Sequence, residues 1–255
     1  MVCWNCKETI SGGHTFCGQC GLSAQAPAKR TDTQPFSALL RPGQARLTVI
    51  KGGPSVYEGM TIHLGAAQHP VGREEGVVIF EDPFLDALHA NFYYHENQTL
   101  YIKDEESLNG CYLRIDGPVR LRSQDRIMVG QQFFQFDYLE ISERYGSTDG
   151  TLAYVSPQIP YRFRLVQIFE DGELGEVYTT SQDELTIGRT GGDKTFAGDG
   201  HMSNEHARIS RDDEGFTLED LGSTNGTYIR LREATRLKHG DCLVMGQQLL
   251  RIDFS

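Results

Sequence analysis

The sequence is short of proline, tryptophan and positive charge, and it contains no long apolar run. Its 255 residues include nine Pro against 28 Gly, one Trp, and 24 Lys+Arg against 35 Asp+Glu, a formal charge of −11. The deficit of cations argues against nucleic acid bound over the whole surface, because neutralising phosphates needs clustered Lys and Arg. No stretch approaches the roughly 18 apolar residues a membrane helix requires, so membrane insertion is not expected. Met1-Val2-Cys3-Trp4 begins no signal-peptide pattern, and the expected location is the cytoplasm. Sustained helical periodicity is missing too. In its place stand short alternating runs: Leu100 and Ile102 with Tyr101 and Lys103, Phe134 and Phe136 with Gln135 and Asp137, Leu250 and Ile252 with Arg251 and Asp253. Period two, broken by Gly or Asn about every ten residues, is the pattern of an antiparallel sandwich. The expected fold class is all-β.

Cysteine is sparse except at one end. Four of the six, Cys3, Cys6, Cys17 and Cys20, fall in the first 20 residues as C-x2-C-x10-C-x2-C. Each C-x2-C pair on a tight turn aims two thiolates at one point, and two such turns make a closed tetrahedral site. The expectation is structural Zn²⁺. Two disulfides are the alternative, which an intracellular chain would not keep, and a redox pair would need a thioredoxin-like context that is not visible. The segment resembles a short zinc ribbon. Roughly 20 residues bury no core of their own, so metal binding would supply the folding energy. His14 reads as a loop residue between the knuckles, and Cys111 and Cys242 as small buried hydrophobes on strands.

Residues 22–43, rich in Ala, Gln, Pro, Thr and Ser, read as a linker, and a second low-hydrophobicity stretch at 141–160 separates blocks 44–140 and 161–255. The blocks are copies of one domain. Asn109-Gly110 aligns with Asn225-Gly226 (225 − 109 = 116), and the same offset pairs Ser107/Ser223, Tyr112/Tyr228, Arg114/Arg230, Asp125/Asp241 and Gly130-Gln131-Gln132/Gly246-Gln247-Gln248 without a gap. Gly72-Arg73 pairs with Gly188-Arg189 at 116, and His89 with His206 at 117. Such a register marks an internal repeat.

In the second copy the distinctive residues lie between strand-like runs: Gly188-Arg189, Ser203-Asn204-Glu205-His206 and Gly222-Ser223-Thr224-Asn225-Gly226-Thr227. One permanent cation among hydroxyls and amides, with no nucleophile–base pair, suits recognition of an oxyanion and not catalysis. In that order and spacing these motifs resemble the forkhead-associated (FHA) domain, a β-sandwich that binds phosphothreonine peptides. The resemblance covers residues 161–255. It implies that Arg189, Ser203 and Thr224 hold the phosphate with Asn204 beside them, and that Asn225 holds the adjoining peptide backbone. It also implies structural roles for Gly188, His206 and Gly226, His206 bracing the loop that presents Ser203.

The first copy keeps Gly72-Arg73, His89 and Asn109-Gly110 but has Asp86 at the Ser203 position and Leu108 at the Thr224 position. A carboxylate repels a phosphate dianion and Leu removes a donor, so this copy is expected not to read phosphothreonine. An Arg73–Asp86 salt bridge filling the site is one form that loss could take. The whole then resembles bacterial adaptors that act beside Ser/Thr kinases, in signalling or secretion-machinery assembly. The expected partner is a phosphothreonine-containing protein, a kinase or its substrate. Thr31, Thr33, Thr148 and Thr151 offer an intramolecular phospho-linker. The competing class is a zinc-ribbon-directed transcription or nucleic-acid regulator, which Lys7, Lys29, Arg30 and Trp4 support thinly. An enzyme finds no catalytic constellation, and Glu74-Glu75 and Asp212-Asp213-Glu214 read as solvated turns.

Overall fold

The structure, a computed structural model, describes residues 2–3, 6–10, 15–17, 19–20, 45–53, 56–95, 98–138, 149–151, 161–169 and 172–254. It consists of two compact units, Met1–Arg41 and Pro42–Ser255. In the first, Val2 bridges Thr9 and the buried side chains of Cys3, Cys17 and Ile10 pack together. Linker 22–43, Trp4, His14, Thr31, Thr33 and Thr148 lie outside the described residues.

Among the described residues of the second unit there are twenty strands and no helix. The first copy contributes β1 (Ala45–Lys51), β2 (Thr61–His63), β3 (Gln68–Gly72), β4 (Val78–Ile79), β5 (Ala90–Tyr94), β6 (Leu100–Asp104), β7 (Cys111–Arg114), β8 (Val119–Leu121), β9 (Asp125–Val129) and β10 (Gln132–Tyr138). The second contributes β11 (Phe163–Ile168), β12 (Leu174–Thr180), β13 (Glu184–Gly188), β14 (Lys194–Thr195), β15 (Ala207–Asp212), β16 (Gly215–Asp220), β17 (Thr227–Arg230), β18 (Thr235–Arg236), β19 (Cys242–Met245) and β20 (Gln248–Phe254). The alternation read from sequence is the alternation of burial: Ile127 and Val129 point inward while Arg126 and Met128 face outward.

The two sandwiches are not the two sequence copies. One ten-stranded sheet runs β12-β11-β10-β9-β17-β7-β19-β20-β1-β2, and five-stranded sheets β14-β13-β15-β16-β8 and β18-β6-β5-β3-β4 accompany its two halves. The N-terminal strand β1 pairs with β20, the last strand of the other copy, and β10 pairs with β11. Strand β8 joins β16, and β18 joins β6. Each copy therefore gives its last three strands to the other. One core combines Leu47, Phe80 and Phe92 with Leu243, Leu250 and Ile252; the second combines Ile127, Phe134 and Phe136 with Phe163, Ile209 and Leu218. The second sandwich is the continuous stretch 119–230, inserted into a first sandwich made of 45–114 and 235–254. The sequence division at 44–140 and 161–255 marks the repeat, while the cores close across it.

The crossover lies at Ile115-Asp116-Gly117-Pro118 and at Leu231-Arg232-Glu233-Ala234. Pro118 has no N–H to continue a ladder, which favours a break after β7. Between the crossovers β7 and β17 run antiparallel, Tyr112 opposite Arg230 and Arg114 opposite Tyr228, and join the halves of the large sheet. Polar residues fasten the exchange. Asp82, buried, accepts from the Gln247 backbone N–H (2.7 Å), the Gln248 amide (3.0 Å) and the Phe84 N–H (2.9 Å). Asp199, its repeat equivalent (199 − 82 = 117), accepts from Gln131 N–H (2.8 Å), the Gln132 amide (2.9 Å) and His201 N–H (2.9 Å). The repeated Gly-Gln-Gln turn is thus the lock that each copy offers to the aspartate of the other. Asp212 and Glu214, on the exposed turn expected from sequence, also pair with the Arg120 guanidinium of β8 at 2.7 and 2.9 Å. Of the two isolated cysteines, Cys111 is buried as expected, but Cys242 is only half-buried. Burial raises both thiols, so neither is a thiolate at neutral pH.

Candidate functional site

The phosphate-type residues of the second copy all belong to the continuous sandwich 119–230, on three loops at one edge. Gly188 ends β13, and the loop beyond it carries Arg189. A Cβ at Gly188 would lie 1.9 Å from the Asn204 carbonyl oxygen, so only glycine lets these loops touch. Across that contact the Arg189 N–H donates to the Ser203 carbonyl (2.8 Å), and the Gly191 N–H to the Asn204 carbonyl (2.9 Å). The Arg189 guanidinium reaches Asn204 Oδ1 at 3.3 Å, and Thr190 Oγ1 donates to the same oxygen at 3.0 Å. Thr190 was not singled out from sequence, because a lone hydroxyl beside an Arg carries no spacing signal.

The third loop is tied to the second through Ser203, whose hydroxyl accepts the Thr224 N–H at 3.1 Å. His206, fully buried, accepts the Ser203 N–H on Nδ1 (3.0 Å) and meets the Gly226 carbonyl at Nε2 (3.0 Å). Because Nδ1 accepts, the proton sits on Nε2 and is donated to Gly226. Gly226 takes φ +84°, and its backbone is covered by Arg114 of β7, whose Nε would be 2.3 Å from a Cβ there. Asn225 donates its amide to the His201 carbonyl at 2.7 Å. Below the loop, burial alone would raise the Asp220 carboxyl, but hydrogen bonds from Thr227 and Ser223 outweigh it and hold the group below its usual value. An ionised Asp220 is the acceptor that fixes Ser223 and Thr227 around the exposed Thr224 and Asn225. Arg189, Ser203, Asn204, Thr224 and Asn225 thus share one rim, and no carboxylate pairs with Arg189 among the described residues.

The first copy has the same frame and a different rim. Asp86 N–H donates to His89 Nδ1 (3.2 Å), and His89 Nε2 meets the Gly110 carbonyl (3.2 Å). Burial holds His89 below the ordinary histidine value, against the Gly110 carbonyl and the Asp104 and Asp86 charges. At the Ser203 position the Asp86 carboxylate accepts the Leu108 N–H at 3.1 Å, and Leu108 stands 77% exposed where Thr224 stands in the second copy. The Arg73–Asp86 salt bridge considered from sequence is not formed. Arg73 pairs with its neighbour Glu74 at 3.0 Å, because the Asp86 carboxylate is turned to cap the 107–110 loop.

In the N-terminal unit the Sγ atoms of Cys3, Cys6, Cys17 and Cys20 lie within 4.8 Å of one another. Cys3–Cys20 and Cys6–Cys17 are each 3.6 Å apart, too far for disulfides and close to the roughly 3.8 Å edge of a tetrahedron with Zn–S of about 2.3 Å. The first knuckle is shaped by Lys7, at φ 62°, and by the Cys3 N–H donating to the Glu8 carbonyl at 2.8 Å. Among the described residues four thiols, without an oxygen or imidazole donor, make up the cluster, which fits a closed metal site.

The FHA domain family model matches residues 69–130 and 185–246. Each match ends in strands that pack in the other copy's sandwich. The FHA domain-containing protein FhaB of Mycobacterium tuberculosis is 30% identical over 92 residues, 35% of this chain, and the chain spans 59% of that relative's length. Among solved structures, the FHA domain of the Chlamydia trachomatis CT664 protein is similar at 8% identity and TM-score 0.34, over 82% of this chain and 96% of that one. Mycobacterium tuberculosis EmbR, in complex with a low-affinity phosphopeptide, is similar at 23% identity and TM-score 0.22, over 43% of this chain and 27% of that one.

Proposed function

We propose that this tandem FHA-domain chain is a non-enzymatic adaptor that reads phosphothreonine through one of its two recognition rims, the one built from Arg189, Ser203, Asn204, Thr224 and Asn225. The observation that carries the reading is the contrast between the rims. In one, an Arg without a carboxylate partner among the described residues stands beside hydroxyls and amides already positioned by backbone contacts. In the other, Asp86 and Leu108 occupy the donor positions and Arg73 is engaged by Glu74. A phosphate dianion gains charge-assisted hydrogen bonds in the first and meets a carboxylate in the second. Arg189 supplies the permanent charge, Ser203 and Thr224 supply directional hydroxyl donors, and Asn225 holds the peptide main chain beside the phosphothreonine. The first rim serves an interaction without phosphate, and the partner class is a phosphothreonine protein of Ser/Thr kinase signalling.

Titration of the full chain with a phosphothreonine peptide is expected to saturate at one peptide per chain. Arg189→Ala should weaken binding by about a hundredfold, the loss of a charged pair of about 2–3 kcal/mol, whereas Arg73→Ala should leave it as it was. Equal losses in the two variants, or no loss in Arg189→Ala, would overturn the assignment.

We further assign the four N-terminal cysteines to one structural Zn²⁺. Metal analysis of the purified chain should return one zinc, and Cys3→Ser or Cys17→Ser should remove it while thermal unfolding of the residues beyond Pro42 stays in place. A zinc content unaffected by both substitutions would sink this part.

A further inference from the structure

The phosphate rim belongs to the second sandwich, but one of its neighbours does not. Lys51, the last residue of β1 in the first sandwich, places Nζ 3.3 Å from His201 Nε2. An ammonium only donates, so Nε2 accepts and the imidazole proton sits on Nδ1, which is buried with no hydrogen-bond partner among the described residues. The His201 carbonyl in turn accepts the Asn225 amide at 2.7 Å. Lys51 is therefore tied to His201, the residue whose carbonyl holds Asn225 of the rim. It is exposed and makes no ion pair among the described residues. Asp199, which accepts the His201 N–H, makes no ion pair with Lys51 among the described residues.

The repeat supplies an internal comparison. Leu249 is opposite Lys51 across the β1–β20 pair, and Phe133, its equivalent (249 − 116 = 133), is opposite Ile168 across β10–β11. Ile168 therefore stands where Lys51 stands, and Phe84 where His201 stands (201 − 117 = 84). With Leu108, Tyr112 and Phe133 these two line a cavity of about 280 Å³ beside the first rim, which Arg126 and Asn109 also line. The two equivalent positions are thus apolar at the first rim, Ile168 and Phe84, and polar with a held cation at the second, Lys51 and His201. In a chain of net charge −11, Lys51 and Arg189 are two cations that pair with no carboxylate among the described residues, Lys51 tied to His201 and Arg189 to Asn204.

We propose that Lys51, oriented by His201, is an acid-reading subsite that takes the carboxylate of an Asp or Glu flanking the phosphothreonine in the bound peptide. This rests on the phosphothreonine reading of the rim. Specificity is then composite: the second sandwich reads the phosphate and the first contributes the charge that reads the flank.

The test uses the full chain and a set of phosphothreonine peptides, neutral in their flanks except for one Glu walked through each flanking position. Wild type should prefer Glu at one position by about fivefold over the all-neutral peptide, the worth of a partly exposed charge pair. In Lys51→Ala the ratio of acidic to neutral affinities should fall to about one, and in Lys51→Glu it should invert. His201→Phe should lower the ratio, with Arg189→Ala as the control that removes phosphate-dependent binding of every peptide. A neutral phosphopeptide that binds without any acidic preference overturns the subsite and leaves the rim standing. A preference that survives in Lys51→Ala also overturns it. Absence of binding to every phosphopeptide overturns the rim and the subsite together.

Discussion

A fragment of residues 115–234 is expected to fold by itself, and a fragment of residues 161–255, the second sequence copy, to melt about 15 °C lower. The continuous stretch 115–234 contains every strand of the second sandwich and every buried residue of its core, from Ile115 to Leu218. It also contains all three loops that carry Arg189, Ser203 and Thr224. Residues 161–255 lack β8, β9 and β10 and have only β18, β19 and β20 with which to replace them. Those strands have the right period, so the fragment can close on itself, but with a different core. Leu250 and Ile252 would take the places of Phe134 and Phe136, whose rings pack against Tyr178, Phe196, Phe163 and Phe216 at centroid distances of 5.3–6.3 Å. Replacing two well-packed aromatic side chains by smaller ones costs about 3 kcal/mol together, and about 5 °C per kcal/mol gives the difference expected for a domain of this size. Thermal melts of the two fragments, read by circular dichroism, decide it. Equal midpoints, or a folded 161–255 beside an unfolded 115–234, would mean that the copies close on themselves.

Why the exchange escapes a reading of the sequence follows from the same residues. Ile127 and Leu243, Val129 and Met245, Phe134 and Leu250, Phe136 and Ile252 are equivalent positions, apolar in both copies and buried in the structure. An alternating pattern specifies which face of a strand is buried, and either set satisfies either core. The choice is made by side-chain volume against distant partners and by the crossover segments, neither of which has a period. The all-β class, the repeat register and the cysteine cluster were legible because they depend on local spacing. So was the constellation around Arg189, since Gly188, His206 and Gly226 act through contacts between loops that the motif spacing already implies. Lys51 was not, because it reaches His201 from a position 150 residues away on the other sandwich. Asp82 and Asp199 carry no spacing signal in the sequence, and the Gly-Gln-Gln turns that bind them were visible only as a repetition without a partner.

Asp199→Ala is expected to lower both the stability of the chain and its affinity for a phosphothreonine peptide, and Asp82→Ala to lower stability alone. Each aspartate is almost fully buried and accepts three hydrogen bonds, two of them from the Gln-Gln pair of the other copy. Removing either carboxylate strands two backbone N–H groups and one side-chain amide away from water. At about 1–2 kcal/mol for each unsatisfied donor, the loss is about 3–5 kcal/mol in either variant, measured by denaturant unfolding. The consequences for binding differ because of what the third donor belongs to. Asp82 accepts from Phe84, beside the rim of Asp86 and Leu108. Asp199 accepts from His201, whose carbonyl anchors Asn225 and whose ring anchors Lys51. Freeing His201 releases the Asn225 side of the phosphate rim while Arg189, Ser203 and Thr224 stay tied by their own backbone contacts, so affinity should fall about tenfold at temperatures where the variant is still folded. Asp199→Asn separates the two effects further. Its remaining oxygen can keep Gln131 and Gln132, but its amide then faces the His201 N–H, so stability is largely retained while affinity is not. If Asp82→Ala and Asp199→Ala weaken peptide binding equally, the coupling runs through global stability and not through His201.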